Sequence, residues 1–155
     1  MGDETLYEHA GGDDAFLRLA RAFHARCLAD PVLEHPFSHE GHPQHVERLG
    51  AYWAEVLGGP AWYSEQAGGH DAMLAIHAHT GAEDDLPARF LACFVAAMDD
   101  AHLPADPGFR EAMRAYMGWA TADVHAYSPS GVPLPTGQVM PRWGWHGLER
   151  APRPD

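Results

Sequence analysis

Four stretches of this chain repeat apolar residues at three- and four-residue steps, and none alternates them over a strand's length, so the chain is committed to helices. Asp13 and Asp14, after Gly11-Gly12, open a helix with Phe16, Leu19, Ala20, Phe23 and Cys27 on one face, which runs until Asp30-Pro31. A second starts at about Pro43, carries Val46, Leu49, Trp53 and Val56 or Leu57, and stops at Gly58-Gly59-Pro60. A third, capped by Asp84 or Asp85, bears Phe90, Leu91, Phe94, Val95 and Met98 and ends before Pro104. Asp106-Pro107 opens the last, with Phe109, Met113, Tyr116, Met117, Ala120 and Val124 on its apolar face.

A length of 155 residues fits one domain with a real core. The net charge of −12 argues against nucleic acid and anionic lipid as partners. No run reaches the length of a membrane span, and Met1-Gly2-Asp3-Glu4 is acidic where a signal peptide is basic, so a cytoplasmic location is expected. Cys27 and Cys93 sit in apolar helical patterns and read as buried thiols. From Ser128 the composition turns to Pro and Gly, and regular structure is expected to give way to an arm. Trp143 and Trp145 predict that part of this arm packs on the same domain or on a second subunit. The expected division is a domain over 1–127 and an extension over 128–155.

Within Gly69-His70-Asp71-Ala72-Met73-Leu74-Ala75-Ile76-His77-Ala78-His79, His77 falls on the helical face of Met73 and Leu74. A neutral imidazole so placed can bind a metal through one nitrogen while the other is held by a carbonyl. On this segment alone a hydrogen-bonded core histidine is the simpler reading. His24 follows Phe23 on the first long helix, and His45 opens the second with Leu49 one turn beyond, so a helical fold can bring the three histidines around one cavity. The loop with His35, His39 and His42 lacks a metal-binding spacing and reads as surface.

Several of these frames together resemble the truncated haemoglobins, specifically the bacterial group II type. They are Leu6-Tyr7-Glu8-His9-Ala10-Gly11-Gly12, Asp30-Pro31-Val32-Leu33 followed by Phe37, Gly58-Gly59-Pro60 with Tyr63-Ser64-Glu65-Gln66, and Gly69-His70 running to His77-Ala78. The resemblance spans Leu6 to Val124. It implies an all-α truncated globin fold, a two-over-two helical sandwich around haem b, with His77 as the proximal iron ligand. Phe37, Met73 and Phe90 would pack on the porphyrin, and Arg48 and Tyr63 match positions near the haem propionates. Leu49, Tyr52 and Trp53 complete the expected haem-contacting set.

The departures bear on function. The family usually has tyrosine where this chain has His24, and group II usually has tryptophan where it has Phe90. The position facing the ligand near the start of the second long helix is often small, yet here it is His45. Phenol and indole donors have been exchanged for imidazoles, and either Tyr52 or Trp53 could restore a donor. Imidazole both donates and accepts, so the expected function is binding of dioxygen or another diatomic ligand with redox chemistry on dioxygen, nitric oxide or peroxide. A haem-dependent peroxidase or oxidoreductase activity is open on this reading, with a reductase and a homodimer as further partners. The alternatives are a histidine-hexacoordinate haem sensor or electron-transfer protein and, further off, a haem-free helical interaction protein.

Overall fold

The computed structural model describes residues 4–31, 45–67, 86–125 and 139–152. Among these are six helices: α1 (Leu6–Ala10), α2 (Asp13–Ala29), α3 (His45–Val56), α4 (Trp62–Gln66), α5 (Leu86–Asp100) and α6 (Pro107–His125). Two short strands follow, β1 (Arg142–Gly144) and β2 (Gly147–Arg150). The described residues are predominantly helical.

The chain enters through a capping box. Thr5 Oγ1 accepts from Glu8 N at 3.1 Å while Glu8 Oε1 accepts from Thr5 N at 3.1 Å, so two otherwise orphaned donors at the start of α1 are satisfied. Gly11, at φ 118°, ends α1 in a left-handed conformation that a side chain would resist, and the turn delivers the chain directly into α2.

The helical periodicity translates into burial. Phe16, Leu19, Ala20, Phe23 and Cys27 of α2 are all buried. Against them pack α3, with Trp53 and Val56, followed by Leu57, and α5, with Cys93, Phe94 and Met98. Helix α6 closes on α5 through Phe109, Met113, Tyr116 and Met117. The α2–α3 crossing is close because α3 offers Gly50 there, where an added Cβ would stand 3.0 Å from the Phe16 carbonyl oxygen. No described helix is long and apolar enough to cross a membrane.

The C-terminal segment departs from the expected arm. Residues 142–150 form an antiparallel hairpin in which Trp143 pairs with Leu148 and Gly144 with Gly147. It seats on the helical domain itself. Trp143 is buried and its Nε1 donates to the Ala112 carbonyl at 3.2 Å, while its ring packs on Tyr116 and Trp119. Trp145 Nε1 donates to the Glu4 carbonyl at 2.8 Å. Arg150 fixes the hairpin's base by donating twice to the Met140 carbonyl, at 2.8 and 2.6 Å. Strands this short carry no readable alternation, and the contacts that hold them lie far away in sequence.

Candidate functional site

Helix α2 places Phe23 and His24 side by side, and α3 begins at His45. The α2–α3 crossing brings the two imidazoles together, with ring centroids 5.7 Å apart and planes inclined by 61°. Both rings are half-buried. Leu49, one turn along α3 from His45, is half-buried and packs against the core.

An aromatic wall stands beside the pair. Phe23 meets Trp53 edge-on at 5.2 Å, stacks on Phe90 at 6.2 Å and touches Phe94 at 6.3 Å. Trp53 in turn meets Phe94 at 5.1 Å. Three helices thus contribute rings to one apolar surface, and Trp53 is the member of the Tyr52-Trp53 pair that joins it. Tyr52 is turned to a different neighbour: its ring meets Tyr63 of α4 edge-on at 5.1 Å. Burial pushes the Tyr52 phenol well above the usual tyrosine range, with Tyr116 and Tyr63 adding to the rise, so it stays protonated.

At the rim, Arg48 lies one turn from Tyr52 on α3. Its Nε is buried and has no hydrogen-bond partner among the described residues. Tyr63 is buried, which raises its phenol pKa, while the Arg48 charge draws it back down. A buried guanidinium nitrogen without an acceptor is costly, and an anion at this rim would satisfy it.

Sequence reasoning missed Glu55. Its side chain is buried, and it accepts from Ser64 N at 2.9 Å and from Ser64 Oγ. Ala61 stands at the N-cap of α4 with no side chain able to cap it, so Glu55 reaches across from α3 to supply the acceptor. The helix that carries Tyr63 is thereby fixed to the one that carries Arg48 and Tyr52. The available signal was the seven-residue step from Arg48 to Glu55, which places both on one face of α3.

The structure therefore assembles His24 with His45, Phe90 with Trp53 through Phe23 and Phe94, and Arg48 with Tyr63 and Tyr52. His77, Phe37 and Met73 lie outside the described residues, as do the histidine loop, the Pro43 start of α3 and the Asp84-Asp85 cap of α5. Among the described residues no cluster of three His, Cys, Asp or Glu side chains could hold a metal ion.

A family model described as bacterial-like globin matches residues 5–122. Among solved structures, the haemoglobin of the actinobacterium Thermobifida fusca is 31% identical, with a TM-score of 0.67 over 83% of this chain and 99% of that one. The haemoglobin of the phototrophic bacterium Chloroflexus aurantiacus is 30% identical, with a TM-score of 0.66 over 77% of this chain and 96% of that one. The group II truncated haemoglobin of Bacillus anthracis, 23% identical, shares the fold with a TM-score of 0.70 over 88% of this chain and 98% of that one. None of the curated proteins matches.

Proposed function

The chain belongs to the bacterial-like globin family, and on that premise we propose that His77 binds the iron of a haem b whose distal ligand pocket is governed by His24 and His45. Family membership makes it a haem protein that binds a diatomic gas. The finer reading is redox chemistry on dioxygen, nitric oxide or peroxide, and the observation that carries it is the imidazole pair, 5.7 Å between ring centroids, beside an aromatic wall.

The residues present suit such a group. Phe23, Trp53, Phe90 and Phe94 offer a flat macrocycle an apolar surface that excludes water. The orphaned Nε of Arg48 offers a carboxylate a charged partner, with the Tyr63 phenol close by. When bound, haem supplies the electron-exchanging centre at which a diatomic molecule or peroxide is held.

The protein's own contribution is proton traffic and access. An imidazole at His24 can donate a hydrogen bond to the ligand's outer atom, as a phenol or an indole can, and can also take its proton, which they cannot. His45, at the first turn of α3, stands as the gate. Turnover on this reading requires a reductase and takes place in the cytoplasm. The close pairing also favours a second reading, a histidine-hexacoordinate sensor or electron-transfer protein, in which one of the two imidazoles occupies the ligand side itself.

Ferric, ferrous and carbonmonoxy absorption spectra of the wild type beside His24→Ala and His45→Ala test the assignment. Open-site spectra in the wild type with altered ligand kinetics in both variants support the pocket reading. Low-spin wild-type spectra that become high-spin in one variant favour the second. Identical spectra and kinetics in all three proteins would remove both imidazoles from the function.

A further inference from the structure

Cys27 and Cys93 meet where α2 crosses α5. Both are buried, and their side chains are close enough for each to shift the other's pKa. They lie on the antiparallel α2–α5 seam between the Phe23–Phe94 ring contact and the Asp30–Arg89 ion pair, Cys27 falling between Phe23 and Asp30 and Cys93 between Arg89 and Phe94. The two thiols differ in access. Cys27 is fully enclosed, whereas Cys93 lines a surface groove of about 690 Å³ with Arg26, Asp30, Arg89 and three alanines of α5.

We propose that Cys27 and Cys93 are a redox modification site, converted by a small-molecule disulfide such as oxidised glutathione into an intramolecular bond that staples α2 to α5. The balance closes without any other reactant. The Cys93 thiolate attacks one sulfur of the small disulfide, forming a mixed disulfide and releasing the first small thiolate. The Cys27 thiolate then attacks Cys93 Sγ, the second small thiolate leaves, and two protein thiols have been oxidised while one small disulfide has become two thiols. The groove is large enough to receive the attacking disulfide and to hold the leaving group, a requirement that a sealed pair could not meet.

The order of attack follows from the surroundings. Burial raises both thiols above the ordinary cysteine range. Their interaction separates them, pushing Cys27 further up and drawing Cys93 back, and the Arg26 and Arg89 guanidiniums at the groove also favour the Cys93 thiolate. Asp30 beside them acts in the opposite sense, and each guanidinium is shared with a carboxylate, Asp100 or Asp30. The exchange is therefore slow at neutral pH and accelerates as the solution becomes alkaline.

The site stands on its own geometry and does not depend on the haem reading. The full-length folded protein is incubated with oxidised glutathione, then denatured and alkylated with iodoacetamide before and after dithiothreitol. The expected result is loss of both alkylatable thiols in the monomer, their return on reduction, and a peptide linking Cys27 to Cys93. Cys27→Ser should instead retain glutathione on Cys93, because no thiol remains to displace it, whereas Cys93→Ser should take up almost none. Two thiols that remain alkylatable in the wild type after long exposure overturn the proposal, as does a disulfide joining two chains. Because the wild-type protein gives the decisive reading, poor folding of either variant does not rescue the idea.

Discussion

His9 and the His24–His45 pair are held by helices of one small core, and their surroundings differ in kind. Both ring nitrogens of His9 meet carboxylates, Nδ1 with Glu4 at 3.0 Å and Nε2 with Asp106 at 2.9 Å. Its ring is packed by Phe109 at 5.1 Å and Trp145 at 5.0 Å. Every polar atom of that imidazole is committed, so it fastens α1, the start of α6 and the hairpin to one another. His24 and His45 meet each other, with ring centroids 5.7 Å apart, next to an aromatic wall. The same side chain is clamped between two carboxylates at one end of the core and set ring against ring beside an aromatic wall at the other.

The comparison breaks first at the histidine expected to bind iron. His77→Ala should lose haem or bind it without normal proximal ligation, while His9→Gln keeps a normal Soret band. Unchanged ferrous and carbonmonoxy spectra in the His77 variant would sink the ligand assignment. No other substitution proposed here should have as large an effect on the cofactor.

The fastened end should respond in stability and leave the spectrum alone. Trp143 is buried on Tyr116 and Trp119 and donates to the Ala112 carbonyl, so Trp143→Ala removes a large apolar contact together with that hydrogen bond. A loss of about 3 kcal/mol in unfolding free energy is expected from truncating a buried tryptophan. Urea unfolding measures it. A spectral change as large as the stability change would mean that the hairpin shapes the pocket, and the division between the two ends would fall.

At the pocket end the expected changes are kinetic. A hydrogen bond to a bound ligand in a dry pocket is worth roughly 1 to 3 kcal/mol, so His24→Phe should speed dioxygen dissociation about tenfold or more and depress peroxide reactivity. His45→Ala should mainly speed ligand entry. Flash photolysis and stopped-flow mixing separate the two. If His45→Ala abolishes both properties while His24→Phe leaves them intact, the two roles are reversed.

The two ends also differ in how far the sequence discloses them. The α2 face was legible because Phe16, Leu19, Phe23 and Cys27 repeat within one helix, and a local period is what a sequence displays directly. His24 and His45 were legible as candidates from their helical positions, and the family frame then gave them places facing the ligand. Their meeting is set by the Gly50 approach of α3 to α2, which no period announces. That Trp143 and Trp145 pack was legible from their type, but the hairpin and its partners were not, because the carbonyls of Ala112 and Glu4 that hold them lie 31 and 141 residues away. Glu55 was missed for a related reason: a glutamate on a helix reads as solvated until the uncapped α4 that it serves is seen beside it.

The smallest predicted effect sharpens the contrast through pH. The His9 pKa is raised above its ordinary 6.5, by its hydrogen bond to Asp106 first and to Glu4 second, and Asp106 is lowered below its ordinary 3.8 by the same bond. A raised histidine stabilises the fold fully below 6.5, its unfolded value, and that contribution is lost as pH rises through the folded value. A lowered carboxylate contributes above 3.8 and is lost as pH falls through its folded value. The fastening is therefore at full strength between these limits and fades on the alkaline side as pH rises above 6.5 through the raised folded value. Asp106 and Glu4 are solvent-exposed, so the effect is small and weakens with added salt. Thermal unfolding of His9→Gln should differ most from the wild type near pH 6 and converge with it as the histidine loses its proton, with identical haem spectra throughout. Parallel melting curves across that range would show that His9 is not the titrating fastener, and the distinction between a committed imidazole and a chemical one would have to rest on the pocket alone.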